Sequence, residues 1–198
     1  KDVVEGFAVM RGGLEKCRPD YDNARASFAH PCIEFVVRGS GTLTLNEATH
    51  ALTPGTVFTY GPHLGHRITA SPEAPLWKYF VVFTGADSLR LLSQAGLSPG
   101  GVGHVAQPER VQSIFDDLIS QGLSDHTERA KHCAVVLQYL ILKIGELHRP
   151  ADDSDAKAYA TYERIRRHIA EHFETLTSLS EIAAACAVDE AYVCRLFR

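Results

Sequence analysis

The sequence predicts an α+β protein, strand-rich in front and helical behind, and three observations carry that reading. Between about residue 28 and residue 84 the apolar residues come in short runs with a period of two, as half-buried strands require. After "SPGGVGH" (98–104) the apolar spacing changes to three and four, the period of a helix. Then "RPADDSDA" (149–156) supplies proline, acid and serine with no large apolar side chain, which is linker composition.

Taken in chain order, "IEFVVR", "GTLTLN", "TVFTY" and "WKYFVVF" are rich in β-branched and aromatic residues and read as strands. Turn signals separate them at Gly39-Ser40-Gly41, Asn46-Glu47, Pro54-Gly55 and Gly61-Pro62. Leu43 and Leu45 alternate with Thr42 and Thr44, so that strand has one wet face. Short strands joined by tight turns imply a sandwich or barrel rather than a parallel sheet. Further on, Val111, Ile114, Phe115 and Leu118 share one helical face. A second helix over 126–148 carries a continuous stripe of Cys133, Leu137, Leu140, Ile144 and Leu147, flanked by Val136 and Ile141. It has more apolar surface than one contact needs, which predicts packing on the β domain on one side and on a second copy on the other, a homodimer. Beyond 156, Tyr162, Ile165, Ile169 and Phe173 mark another amphipathic helix.

Bulk properties narrow the function. A length of 198 residues, 45% hydrophobic and 22% charged, suits one large soluble domain with a smaller companion. No apolar run is long enough to span a bilayer, and "KDVVEGFAVMRGG" lacks a secretory hydrophobic stretch, so the expectation is a cytoplasmic protein without a membrane partner. The five cysteines are odd in number, scattered and without zinc-ligand spacing, as free thiols in a reducing compartment would be. The net charge of −4 speaks against a general nucleic-acid partner. Residues 157–198, however, balance six Lys/Arg against six Asp/Glu, so the excess acid lies upstream.

The chain closes on "LSEIAAACAVDEAYVCRLFR" (179–198). Ser178 and Glu181 form a capping box, and the helix they open buries Leu179, Ile182, Ala183 and Cys186. Asp189 caps a second short helix whose buried side is Val193, Leu196 and Phe197. Two such helices across a short turn have the geometry of a helix-turn-helix, whose second helix enters the major groove in DNA-binding versions. Ala191, Cys194, Arg195 and Arg198 then share the opposite face, with an arginine suited to guanine and small side chains suited to thymine methyls.

The stretch "RIRRHIAEHFETLTSLSEIAAACAVDEAYVCRLFR" closely resembles the start of the DNA-binding domain of AraC/XylS-type transcription regulators. The match lies in an Ile-containing helix ending in His-Phe, Leu-Thr before a helix with Ile-Ala, and a cap-x-x-Tyr-aliphatic-x-Arg-Leu-Phe run. Asp189 stands where the family more often has Ser, and Val193 where Leu is usual. The resemblance implies two helix-turn-helix motifs with only the first in this chain, and hence weak DNA binding by these residues alone. It also implies that Ala191, Cys194 and Arg195 face the bases.

The segment "FAHPCIEFVVRGSGTLTLNEATHALTPGTVFTYGPHLGHRI" resembles the cupin-type sensor domain of the same family. His30, Glu34 and Gly41 match the second half of the first cupin signature, and His66 matches the metal-ligand position of the second. Phe28 stands where enzyme cupins carry a further His, and the second motif has an extra residue between Gly55 and Pro62. The resemblance thus implies a cupin-like β-barrel or jelly roll with helices after it, then a partial all-α helix-turn-helix domain. The divisions expected are a sensor domain at 1–105, a dimerisation segment at 106–148, the linker at 149–156 and the partial DNA-binding domain at 157–198. His30, Glu34 and His66, with His63 nearby, would either hold a divalent Zn, Fe or Ni ion or anchor a small effector. Phe58, Tyr60, Trp77 and Tyr79 are the candidate aromatic walls around that effector, a sugar or other small metabolite; core packing is the alternative role of each, with at least two of the four expected to face the cavity.

The function so implied is a non-enzymatic, sequence-specific transcription regulator with operator DNA and a small-molecule effector as partners. The competing expectation is a metal-dependent cupin enzyme, a dioxygenase or isomerase, with a helical oligomerisation tail. A third is a binding module that regulates through a protein partner.

Overall fold

The computed structural model describes residues 8–45, 47–150 and 153–197. The chain divides into two compact units, with the boundary between Ala151 and Asp152.

The first unit is built on two antiparallel sheets. Its strands are β1 (Ala8–Lys16), β2 (Asp22–Arg25), β3 (Cys32–Arg38), β4 (Gly41–Leu45), β5 (Ala48–Leu52), β6 (Thr56–Tyr60), β7 (His66–Ala70), β8 (Trp77–Thr84), β9 (Val102–Val105) and β10 (His148–Pro150). One sheet has six strands in the order β1-β8-β3-β6-β9-β10, the other four in the order β2-β7-β4-β5. Helices α1 (Ser88–Gln94), α2 (Pro108–Leu123) and α3 (Arg129–Leu147) complete the unit. Gly39 makes the β3–β4 turn possible: its φ is 81°, and a Cβ there would overlap the Pro75 carbonyl.

Strand alternation gives the six-stranded sheet two different faces. Toward the helices, Ile33, Phe35, Val57, Tyr79, Val81 and Phe83 pack against Val111, Phe115, Leu118, Leu137, Leu140 and Ile144 in one continuous core. Phe115 stacks on Phe35 at 6.1 Å and on Tyr79 at 5.1 Å between ring centroids. Toward the second sheet, Cys32, Val36, Phe58, Tyr60 and Val82 meet Leu43, Leu45, Leu52 and Ile68 in a separate core. β3 is buried on both faces, which is why "CIEFVV" reads as a nearly unbroken apolar run.

The α3 stripe of Cys133, Leu137, Leu140 and Ile144 is buried as its spacing predicts, and Ile141 joins it. The spare apolar face lies elsewhere. Val135, Tyr139 and Leu142, at i, i+4 and i+7, remain 65%, 53% and 52% exposed.

The expected linker is shorter than 149–156. Arg149 and Pro150 pair as β10 with His104 and Gly103 of β9, and α4 (Asp153–His172) is already helical at Asp153. Proline is tolerated on this edge strand, and Asp and Ser are residue types that open helices.

The second unit contains α4, α5 (Leu179–Ala185) and α6 (Glu190–Leu196). Its core is Ile165, Ala183, Cys186 and Val193, with Ile169, Leu179, Ile182, Val188 and Leu196 packed around them. Two expected core aromatics are not in it. Phe173 lies past the end of α4 and is 67% exposed, while Phe197 is 46% exposed and meets only the edge of the unit at Tyr162. Among the described residues no helix is long and apolar enough to cross a membrane, and all five cysteines are free.

Candidate functional site

Between the two sheets of the first unit lies a cavity of about 330 Å³. Its floor is apolar, with Phe28, Phe80 and Val82, and one wall carries Glu34, Tyr60 and Lys78. The rim carries Arg11, Glu15, Tyr21, Asn23 and Arg25.

Register explains how these side chains arrive together. On β8, Lys78, Phe80 and Val82 fall on the inter-sheet face, and their β1 partners are Glu15, Gly13 and Arg11. Arg11, Gly13 and Glu15 keep strict alternation along β1, so Arg11 shares the inter-sheet face with Glu15; a bulge falls beyond it, between Val9 and Arg11. Glu34 pairs with Phe80 across β3 and β8, and Arg25 with His66 across β2 and β7.

The wall is an ionic network. Lys78 is only 1% exposed; its Nζ lies 2.5 Å from Glu15 Oε2 and 2.7 Å from Glu34 Oε2. The second contact is an ion pair off hydrogen-bond alignment, whereas Tyr60 donates its hydroxyl to Glu34 Oε1 at 2.5 Å. Burial alone would lower the Lys78 pKa, but the Glu34 carboxylate and its neighbours outweigh it and hold the ammonium well above the lysine range. Burial, then the Glu34 charge, pushes the Tyr60 hydroxyl far above the tyrosine range, so it stays a donor.

His66 sits beside this network, 5% exposed, with its ring 4.0 Å from that of Tyr60. Both ring nitrogens are buried without a hydrogen-bond partner. Burial, then the positive charges of Arg25 and Lys78, brings its pKa down to about 4, so the ring is neutral at pH 7.

In the second unit α5 and α6 are both capped. Ser178 Oγ accepts from Glu181 N at 3.2 Å, and Asp189 Oδ1 accepts from Tyr192 N at 2.7 Å. Ala187, in the turn between them, has a φ of 50°. Ala191, Cys194 and Arg195 are exposed on α6 while Val193 is buried; Arg198 lies outside the described residues.

Residues 12–140 match the family described as AraC-like ligand binding domain. This chain belongs to that family. The Msm operon regulatory protein of Streptococcus mutans is 23% identical over 198 residues, covering 97% of this chain and 70% of the relative. Among solved structures, the AraC-like transcriptional activator CuxR is 12% identical over 94% of this chain and 69% of its own, with a TM-score of 0.49. An oxalate decarboxylase of Bacillus subtilis is 18% identical over 41% of this chain and 22% of its own, with a TM-score of 0.34.

In this AraC-like domain the residues expected around the effector separate into two groups. Glu34 and Tyr60 line the cavity, with Phe58 buried in the inter-sheet core next to Tyr60, 6.3 Å between ring centroids. Trp77 and Tyr79 do not reach it, which corrects the expectation. They alternate with Lys78 and Phe80 along β8 and therefore point to the opposite face. There Trp77 lies between Lys16 and Arg38 at 4.2 and 5.1 Å, and Tyr79 donates its hydroxyl to Asp116 of α2. His30 is half-buried in the bend before β3 and does not line the cavity.

The expected metal ligands do not fit a metal either. Among the described residues no three His, Cys, Asp or Glu side chains group to hold an ion. The place a cation takes beside Glu34 is held by the Lys78 ammonium. Lys78 is a buried, ion-paired cavity residue that sequence reasoning passed over. Its signal was present: alternation in "WKYFVVF" puts it in line with Phe80 and Val82, the wrong face for a solvent-seeking lysine.

Proposed function

We propose that this chain is an effector-responsive transcription regulator. In this reading a small molecule binds in the inter-sheet cavity, and α5, its turn and α6 act as a helix-turn-helix. The observation that carries it is the family match over 12–140, which covers most of both sheets and every cavity-lining residue except Arg11. A concave site of this size, with convergent polar groups beside Phe28, Phe80 and Val82, suits a small polar ligand.

On α6, Ala191, Cys194 and Arg195 form the base-facing surface, with Arg195 the residue able to donate a bidentate pair to guanine. α3 supplies the homodimer contact through Val135, Tyr139 and Leu142, the face opposite its buried stripe. Effector binding shifts DNA affinity only through unequal affinity for two arrangements of the dimer, a coupling of about 1–3 kcal/mol in comparable systems. The metal-dependent enzyme is the weaker reading, because a divalent ion would have to displace the Lys78 ammonium from Glu34.

The test is selection of duplexes from a random pool by the natural full-length protein, followed by anisotropy titration. An enriched motif whose binding weakens by about 1–3 kcal/mol in Arg195→Ala, with relaxed preference at one base pair, supports the reading. Enrichment of no motif, or unchanged preference in the variant, overturns it.

A further inference from the structure

The cavity's charges are not balanced against one another. Lys78 is matched twice over by Glu15 and Glu34, yet Arg11 and Arg25 form no ion pair among the described residues. Both guanidinium groups instead flank the ring of Phe28, Arg11 at 6.0 Å and Arg25 at 5.7 Å from its centroid. Glu15 and Glu34 leave one negative charge over after Lys78, so the two arginines give the cavity lining a net positive charge of one, and neither guanidinium has a carboxylate of its own. Arg11 reaches this side of the sheet by regular alternation with Gly13 and Glu15 along β1. Two forked, permanently charged donors line one cavity beside the same aromatic ring.

We propose that the molecule bound in this cavity is a small oxyanion, a carboxylate or phosphate ester, whose anionic end is held by Arg11 and Arg25 and whose body rests on Phe28, Phe80 and Val82. Guanidinium forks match both carboxylate and phosphate oxygens and bind them with charge-assisted hydrogen bonds. The wall sets the orientation. Glu34, buried on the wall, repels a negative charge, so the anionic end stays at the rim and the neutral body goes inward. Beside the two arginines the rim also offers the Glu15 carboxylate as acceptor and the amide of Asn23, which donates to Tyr21 Oη at 3.3 Å. A volume of about 330 Å³ admits a single ring with its substituents rather than a polymer.

The inference rests on the cavity being the effector site, and the experiment separates the two. The 198-residue chain is titrated by calorimetry with matched probes: benzoate against benzyl alcohol, and glucuronate and glucose 6-phosphate each against glucose. Inorganic phosphate serves as the bare ion. Titrations are repeated in Arg11→Met and Arg25→Met, which keep the apolar stems of two exposed side chains and should unfold at the parent temperature.

At least one organic acid should bind roughly tenfold or more tighter than its neutral twin, and each substitution should weaken it roughly tenfold. The carboxylate and phosphate arms tell which oxyanion is preferred. Equal binding of acid and neutral twin, acid affinity unchanged in both variants, or inorganic phosphate binding as tightly as every organic acid overturns the inference and leaves the effector site standing. Failure of all acids overturns it too, and failure of the neutral twins as well counts against the effector site itself.

Discussion

The two units place their polar groups in opposite settings. In the β unit, Lys78, Glu34, Tyr60 and His66 are all 5% exposed or less; the first three pair with one another away from water, and His66 packs against Tyr60 with neither ring nitrogen bonded. In the helical unit, the polar groups that shape the structure are Ser178, Glu181 and Asp189, all exposed and all bonded to backbone N–H groups at helix starts. A buried charge is costly to strand, because nothing replaces a lost partner. An exposed cap is cheap to lose, because water takes over. The same residue chemistry should therefore give effects that differ several-fold between the units.

The largest effect is expected at Lys78. Lys78→Met leaves Glu34 buried with its ammonium partner gone, and urea unfolding should show a loss of about 3–5 kcal/mol. The double variant Lys78→Met/Glu34→Gln should recover at least half of that, since the stranded charge goes too. A double variant as unstable as the single one would mean that Lys78 acts by packing its stem, and the contrast between the units would fail.

His66 sharpens the same comparison through pH. Its folded pKa of about 4 lies below the ordinary 6.5. Between those values the unfolded chain therefore binds more protons than the folded one, and stability rises with pH. The contribution is fully present above about pH 6.5 and is lost as pH falls toward 4, amounting to about 3 kcal/mol. His148, also lowered by burial, adds to the same window. The exposed carboxylates with lowered pKa values, Asp22, Glu128 and Glu181, act at still lower pH. Unfolding free energies measured from pH 7 to 4 should fall steeply in the parent and clearly less in His66→Gln. Equal slopes would show that His66 is not the group being titrated.

What the sequence disclosed follows the same division between settings. Strands buried on both faces, such as β3 and β6, announce themselves by composition, and α2 and α3 by period. β1, by contrast, reads as polar and glycine-bearing because it is an edge strand with mostly exposed or half-exposed residues, and nothing apolar marks it. The cavity was legible only in part for the same reason. Glu34 and His66 stood out through the resemblance to cupins, whereas Arg11 lies on β1, where no buried residue marks which face turns inward. Aromatic type pointed to Trp77 and Tyr79, but facing is set by alternation, and alternation favours Lys78. The α3 face took a comparable turn: its period was clear, yet which residues stay uncovered depends on where the sheet lies, and these are Val135, Tyr139 and Leu142.

The smallest effects belong to the helical unit, where two substitutions of opposite sign sit two residues apart. Asp189→Ala removes the acceptor for Tyr192 N and should cost about 1 kcal/mol, measured as a loss confined to the unfolding of this unit. Ala187 holds a φ of 50°, where a Cβ costs roughly 1–2 kcal/mol and glycine is at ease. Glycine also loses more chain entropy on folding, roughly 0.5–1 kcal/mol. The strain relieved exceeds the entropy lost, so Ala187→Gly should stabilise the unit by about 0.5 kcal/mol. The turn does more than join the helices, since Val188 N bonds to the Ala183 carbonyl at 3.0 Å across it. A destabilised glycine variant would mean that the Ala187 methyl packs against the helices strongly enough to offset its own strain, and that this turn is held by apolar contact rather than by backbone geometry.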